Sequence, residues 1–321
     1  MGKAFVREVQ VVRSDRKGEQ MKDIELNVMT EGRKAYYSSA RRRIRRYLTA
    51  PKQEALNDKH ARIYIGRLIN MNFGKGDYCS HLTYSQKFLP ATLEDGKRDL
   101  DRFIGKVKKL YAERGLKLRY ICIPSYRSGK GGELTRLHFH IVMAGGVDRT
   151  EIELLWRAPD KAGRCKKGDE HKRFGESLGT ANCDRLQVGD GLGGLSNYLA
   201  RQPREGFSRR WYASVGLRKP YTYAPNDDKY DIPELKRIAE RNADAVDVSF
   251  WERKYPGWTV CEPREYAYSC VMSDISGVSI LCKLRRLTEE ELRERNKQKR
   301  QKMHVSGAGR RLDVRKKERR V

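Results

Sequence analysis

The sequence predicts an α+β fold, in which an antiparallel sheet of split βαβ, ferredoxin-like topology carries helices on one face. Two kinds of pattern predict it. Short runs rich in aromatic, β-branched or alternating apolar residues, each bounded by turn residues, indicate strands. Longer runs with apolar residues at helical spacing lie between them. The elements follow the order strand, helix, strand, strand, helix, strand, helix, which begins as a split βαβ unit does.

The first half of this order comes from four stretches. Residues 77–85 form a run of aromatic, β-branched and small residues and predict the first strand. Thr92 begins TLED, the pattern of a capping box, and apolar residues recur at helical spacing until Gly115. Residues 116–124 and 134–144 predict the second and third strands, and SGKGGE between them predicts a turn.

The elements predicted for the second half of this order are shorter. Residues 149–157, RTEIELLWR, predict a short helix, and residues 181–188, ANCDRLQV, predict the fourth strand. The run GGLSNYLARQ, residues 193–202, predicts another helix. We therefore place the sheet and its helices in a single domain.

Composition divides the chain into three parts. We expect a basic helical N-terminal region over 1–60, the sheet domain over 61–225 and a C-terminal region over 226–321. In the C-terminal region, Thr288 begins a capped, charged helix, and the last residues form a basic tail. The N-terminal region contains ARRRIRRYL, residues 40–48, whose arginines fit either a solvated helix face or a contact with the DNA backbone.

The net charge points to a polyanionic partner. Lys and Arg total 69 against 42 acidic residues, a formal charge of +27, so nucleic acid is the expected partner and an ordinary basic soluble protein is the alternative. The seven cysteines form no C-x-x-C pair, which argues against a zinc ribbon. We find no apolar run long enough to span a bilayer and no secretory h-region, and we expect a soluble, cytoplasmic protein with reduced thiols and no membrane partner.

Two histidines lie one residue apart in the predicted third strand. Side chains alternate along a strand, so His138 and His140 share one face, while Leu137, Phe139 and Ile141 share the other. Their Cα atoms are about 6.5 to 7 Å apart at a rise of ~3.3 Å per residue, which allows both imidazoles to reach one divalent ion. The alternative is a pair of half-buried histidines with hydrogen-bond partners.

A tyrosine follows on the last predicted helix. Tyr198 and Arg201 are spaced i and i+3 and therefore share a helix face. A phenol needs activation to act as a nucleophile, and a neighbouring cation together with a metal-polarised phosphate would supply it. The alternative is that the Tyr198 ring packs on the sheet.

Three stretches, in this order, resemble the HUH endonucleases, specifically the rolling-circle replication initiator (Rep) proteins of bacterial plasmids and phages. NFGKGDYCSHLTYS is similar to the first motif of that family, LHFHIVM to its His-hydrophobe-His motif and NYLARQ to its tyrosine helix. RRWYASVGLRKP resembles the arginine and aromatic stretch that often follows. The resemblance covers about residues 70–220, and the tyrosine follows the histidines, as in Rep proteins and unlike conjugative relaxases.

The resemblance implies roles for individual residues. His138 and His140 would bind Mg²⁺ or Mn²⁺, and Tyr198 would be the nucleophile. Arg201 stands where the family usually has lysine, and arginine cannot shuttle a proton. The strand before the histidines, where the family often has a third ligand, contains no carboxylate. Glu133 in the preceding turn is the candidate, and an exposed turn glutamate is its alternative role.

The resemblance also implies a reaction. A Rep protein nicks single-stranded origin DNA through its tyrosine, forms a 5'-phosphotyrosyl link and leaves a free 3'-hydroxyl that primes replication; a host helicase is a further possible partner. We expect the strand to be bound by the arginine and aromatic stretch, where cations follow phosphates and rings stack on bases, although a mixed core and rim strand is the alternative. The residues are Arg209, Arg210, Trp211, Tyr212, Arg218 and Lys219.

Other functions and other nucleophiles stay open at this point. Tyr212, Tyr221 and Tyr223 are further candidate nucleophiles, although none lies on so clear a helix. A noncatalytic DNA-binding protein on a Rep-like scaffold is the main alternative, followed by an HUH transposase. An RNA-binding or ribosome-associated protein would require only the charge and the aromatic residues. A zinc hydrolase is the least expected.

Overall fold

The computed structural model describes residues 4–16, 19–30, 51–128, 134–158, 175–189, 191–200, 210–241, 246–273 and 277–298. Within these ranges the chain is an α+β protein with two antiparallel sheets, as the sequence predicted in its coarse form. The strands are β1 (Ala4–Arg16), β2 (Glu19–Thr30), β3 (Tyr78–Thr83), β4 (Tyr120–Ser128), β5 (Leu134–Met143), β6 (Ala181–Arg185), β7 (Tyr212–Ala213), β8 (Tyr221–Thr222), β9 (Trp258–Val260), β10 (Tyr268–Ser273) and β11 (Gly277–Arg286). The helices are α1 (Pro51–Asn72), α2 (Leu93–Glu113), α3 (Arg149–Glu153), α4 (Gly193–Ala200), α5 (Ile232–Arg241), α6 (Val248–Lys254), α7 (Arg264–Ala267) and α8, over 289–298.

The five-stranded sheet contains the four strands predicted from the sequence. Its order is β6-β3-β5-β4-β7, and every neighbouring pair is antiparallel. β4 begins four residues later than predicted, at Tyr120, because Leu116 still belongs to the turn that closes α2 and donates its N–H to Tyr111. It also continues past Pro124, and its register with β5 shifts between Ser125 and Arg127.

One face of this sheet is covered by α2 and α3. Thr92 caps α2 as predicted, since its hydroxyl accepts a hydrogen bond from the N–H of Asp95. The buried stripe of α2 then packs on the apolar face of β5, and Trp156, just after α3, completes this core. The members of the stripe are Leu100, Phe103, Ile104, Val107 and Tyr111.

The opposite face is also covered, so the prediction of helices on one face only is wrong. Ile65 and Ile69 of α1 and Leu199 of α4 pack on Ile121 and Val142 of the sheet. Burying these residues against each other removes apolar surface from water, which stabilises the packing of α1 and α4 on the sheet. This second face, which we call the histidine face because His138 and His140 lie on it, is therefore partly covered by two helices.

The second sheet joins the two ends of the chain. Its order is β10-β11-β2-β1-β8, with β9 paired to β11, and its core packs around Trp251. β1 and β2 thus pair as an antiparallel hairpin, which differs from the helical N-terminal region that we expected. The β-branched, alternating run VREVQVV, residues 6–12, accounts for the strand. The arginine cluster at residues 40–48 lies outside the described residues.

The charged helix predicted after Thr288 is present as α8. The Thr288 hydroxyl accepts from the N–H of Glu291, and the Glu291 carboxylate accepts from the N–H of Thr288, so the two residues form a capping box. The basic tail lies outside the described residues. Among the helices that the structure describes, none combines the length and the apolar character needed to cross a membrane.

A candidate histidine and tyrosine site

Three imidazoles meet on the face of the sheet that α1 and α4 cover. β5 places His138 and His140 on this face, as predicted, with ring centroids 4.9 Å apart. β3 adds a third ring, because His81 lies directly opposite His140 in the antiparallel register. The centroids of the His81 and His140 rings are 4.4 Å apart. Two neighbouring strands therefore bring three histidines into a single cluster.

Sequence reasoning missed His81. The residue lies in the predicted first strand, but its partner is 59 positions away along the chain (140 − 81) and only the strand order makes them neighbours. Glu133, the residue suggested for the third ligand, lies outside the described residues. The sequence offered one signal, because residues two apart in a strand share a face. His81 therefore lies on the same face as Cys79, which is buried against α1.

The histidines differ in burial. His140 is 1% exposed, whereas His138 and His81 are half-buried. Burial lowers the pKa of His81, the nearby Asp184 carboxylate opposes this, and His138 adds to the lowering. Burial also raises the pKa of the Cys79 thiol to about 12, so this thiol stays protonated beside the cluster. His81 thus favours the neutral imidazole, the form that can bind a metal ion.

Tyr198 projects from α4 onto the cluster. Its ring centroid is 5.3 Å from that of His140, with the two rings edge to face, and the side chain is 49% exposed. The neighbouring Leu199 and Ala200 are buried against α1 and the sheet and fix the helix in place. The sequence placed this tyrosine and the histidine pair in separate motifs, and the fold brings them together.

Two residues, the buried Asn70 and the half-buried Gly191, hold α4 in position. Asn70 of α1 donates to the carbonyl of Gly66 and accepts from the N–H of Leu192, both at 2.8 Å. Gly191, with φ +92°, precedes this turn, and a Cβ there would lie 2.6 Å from the Asn70 Oδ1 atom. Asn70, which sequence reasoning did not single out, therefore positions the helix that carries Tyr198.

The cluster opens toward solvent on one side. A hollow of about 360 Å³ lies beside His138 and is lined by residues that end β3 and follow it, among them Thr83 and Ser85. The hydroxyls and backbone of this segment offer hydrogen bonds to a polar ligand. Of the three histidines, His138 is the one that lines this hollow.

The cluster has the donor chemistry of a divalent metal site. Neutral imidazoles are common ligands of transition metals and are also compatible with Mn²⁺. The rings meet edge to face, at 88° and 80°, and no set of three His, Cys, Asp or Glu side chains in the described part of the chain is already arranged as a metal cluster. The ligand types therefore fit a divalent metal ion.

The predicted DNA-binding stretch divides between the two faces. Trp211 packs on the histidine side of the sheet, where its ring stacks on Tyr64 of α1 at 6.2 Å and 28°. Arg210 borders the same small hollow as Trp211. Tyr212 packs instead with the core of α2, on the opposite face. Trp211 and Arg210, and not Tyr212, therefore adjoin the histidine face.

The remaining predicted DNA-binding residues lie farther along this stretch. Arg218 pairs with Asp15 of β1 and is held through its backbone by Asn72. Lys219 is exposed. Arg209 lies outside the described residues, as does Arg201, so the cation predicted beside Tyr198 has no described position. The ion pair of Arg218 thus ties this segment to β1.

The alternative tyrosines do not share the setting of Tyr198. Tyr221 and Tyr223 are 60% and 48% exposed and stand together at β8, in the other sheet, with ring centroids 5.1 Å apart. Tyr212 lies on the far face of the five-stranded sheet. Comparisons of the chain with known protein families, curated proteins and solved structures found no match.

Proposed function

We propose that this protein is an HUH-type DNA nickase that initiates rolling-circle replication, with Tyr198 as its nucleophile. The observation that carries the proposal is the contact of the Tyr198 ring with His140, which belongs to a cluster of three imidazoles. The motifs in the sequence predicted the histidine pair and the tyrosine separately. In the fold, the tyrosine lies beside the histidines. A tyrosine beside a histidine cluster is the arrangement that such chemistry needs.

The sheet supports the same proposal. Counted along the chain, β3, β4, β5 and β6 are the first to fourth strands, and their order across the sheet is fourth, first, third, second. α2 connects the first strand to the second, and α3 connects the third to the fourth. This is the order of a ferredoxin-like, split βαβ domain, the scaffold that the resemblance implies.

The reaction is a transesterification. The Tyr198 phenol loses its proton, and its oxygen attacks the scissile phosphorus in line. A bond forms between phosphorus and the tyrosine oxygen as the bond to the 3'-oxygen breaks, and the departing oxygen takes a proton to become the 3'-hydroxyl. The 5' end stays on the protein as a phosphodiester of tyrosine, which keeps the bond energy for rejoining.

His81, His138 and His140 would hold Mg²⁺ or Mn²⁺. When bound, the metal would supply a Lewis acid that lowers the energy of the developing charge on the phosphate. The chain itself orients the nucleophile through α4 and excludes water from the buried side of His140. The surrounding cations and the Trp211 ring bind the strand.

A nickase activity has a direct test. The full chain is incubated with labelled single-stranded oligonucleotides from the replicon that encodes it, with Mn²⁺ or with a chelator, and is run on a denaturing gel. We expect a metal-dependent protein-DNA adduct that Tyr198→Phe abolishes. Tyr223→Phe is the matched control because it removes an equally exposed hydroxyl from the other sheet. An adduct that survives in Tyr198→Phe would overturn the assignment.

A noncatalytic DNA-binding protein on the same scaffold is the second candidate. The edge-to-face packing of the three rings favours it, since such rings also fit a packed histidine cluster. This candidate predicts metal-independent binding of single-stranded DNA and no adduct with any oligonucleotide or metal. The gel assay therefore separates the two.

A further inference from the structure

A cleft of about 240 Å³ lies between the two sheets. One wall is the polar face of the six-stranded sheet, and the other is formed by α1 and α4 of the nicking domain. Four cationic and two acidic side chains line it: Arg13, Arg62, Arg67, Lys283, Asp23 and Glu265. Clefts between structural units are common ligand sites, and this one has an excess of positive charge.

The floor of the cleft is a buried ion network. Arg13 and Asp23 are 2% and 1% exposed and pair at 3.0 Å. Arg67 reaches the same carboxylate at 2.7 Å and also pairs with Glu25 at 2.5 Å. Both arginines are thus matched by carboxylates, and this network joins the six-stranded sheet to α1.

Lys283 adds a cation that the network does not match. It stands directly opposite Asp23 in the pairing of β11 with β2, but that carboxylate already serves two arginines. Burial lowers the pKa of Lys283, and the charges of Arg13 and Arg67 add to this effect while Asp23 opposes it. An anion in the cleft would offset this cost, because a cation withdrawn from water is stabilised by a charged hydrogen-bond partner.

Ser196 supplies an unused hydrogen-bond donor at the same place. Its side chain is 5% exposed, and among the described residues its hydroxyl has no hydrogen-bond partner. The residue lines the cleft from α4, two positions before Tyr198. Buried hydroxyls are normally satisfied, so this one indicates a partner that the described residues do not provide.

We propose that the cleft binds a backbone phosphate of single-stranded DNA, through Lys283, Ser196 and Arg62 at its exposed rim. The proposal rests on the proposed function, since it assigns a second subsite to the same strand. α4 lies between the two subsites. Its Tyr198 faces His140, whereas its Ser196, Asn197 and Ala200 line the cleft. The C-terminal sheet thus takes part in holding the strand near the nick.

The test measures binding without the covalent step. In a Tyr198→Phe background, the affinity for a fluorescein-labelled oligothymidylate is measured by anisotropy over a series of salt concentrations. Lys283→Met, Ser196→Ala and Arg62→Gln are compared with Lys109→Met, which removes an exposed cation from α2 on the far side of the five-stranded sheet. Circular dichroism checks the fold of each variant.

We expect Lys283→Met to weaken binding by about tenfold and to reduce the slope of log affinity against log salt by about 0.7, as one lost phosphate contact requires. Ser196→Ala should weaken binding by about fivefold without changing the slope. Arg62→Gln, at an exposed position, tests the cleft even if Lys283→Met does not fold. Affinities and slopes equal to those of Lys109→Met in all folded variants would overturn the proposal.

Two further measurements separate the sources of the phosphate and the two proposals. If inorganic phosphate raises the melting temperature of the parent but not that of Lys283→Met, and DNA binding is unchanged, the cleft takes a free phosphate and the DNA assignment is wrong. Adduct formation is measured separately in proteins with Tyr198 intact. Loss of DNA affinity in the cleft variants without any adduct in the parent would support the cleft and refute the nickase.

Discussion

Replacing His81 by glutamine removes the imidazole that the fold, and not the sequence motifs, adds to the cluster. The ring stands 4.4 Å from that of His140 and is half-buried. If His81 only fills space, its loss should cost about 1 kcal/mol of unfolding free energy and leave metal dependence unchanged. If it is a ligand, the Mn²⁺ concentration needed for half-maximal adduct should rise at least about 100-fold, the upper end of what the loss of an outer-shell partner costs.

The assay is adduct yield against Mn²⁺ concentration, with the melting temperature measured on the same samples. Cys79→Ala controls for packing, since Cys79 lies two residues away on the same strand face and is buried. His60→Gln controls for the loss of an imidazole at an exposed position on α1. A wild-type metal dependence in His81→Gln, together with its loss in His140→Gln, would refute a three-histidine site.

Three further predictions follow from the geometry. Trp211→Ala should weaken single-strand binding by about tenfold through loss of a stacking ring, whereas Tyr212→Leu, on the opposite face, should not; equal effects in fluorescence anisotropy would contradict this placement. Asn70→Ala should lower the unfolding free energy by about 2 to 3 kcal/mol in urea titrations, because it removes a buried hydrogen bond to the turn before α4 and a partly buried one to the Gly66 carbonyl; a loss within experimental error would contradict the positioning role. Hydrogen bonds from Arg285 hold the pKa of Glu291 at about 2. The stabilisation is therefore present above the ordinary glutamate pKa and is lost as the pH falls through about 2, so Glu291→Gln should destabilise at pH 7, and the difference should shrink as the pH falls and vanish only below the folded-state pKa; a pH-independent difference would contradict the ion pair.

The local parts of the fold were predictable because their signals are short in range. Thr92 and Thr288 each have an acidic residue three positions later, a capping pattern that predicted the start of a helix. Both caps are present in the structure. The alternation in the LHFHIVM run placed His138 and His140 on one strand face. Each of these depends on neighbours within one or two turns of helix or a single strand.

What the sequence did not reveal depends on contacts between distant segments. His81 meets His140 only because β3 pairs with β5. β2 pairs with β11, which lies more than 200 residues later in the chain, so charge composition alone suggested a separate N-terminal region. Strand order and long-range pairing are set by the burial of whole faces, which no local pattern encodes.

The most direct test of the central claim is to locate the covalent link. The metal-dependent adduct is digested with nuclease and protease, and the peptide that carries the remaining nucleotide is sequenced by tandem mass spectrometry. We expect a 5'-nucleotide on Tyr198, joined through the phenolic oxygen. A nucleotide on Tyr221 or Tyr223, or no linked peptide under conditions where single-stranded DNA is bound, would contradict it.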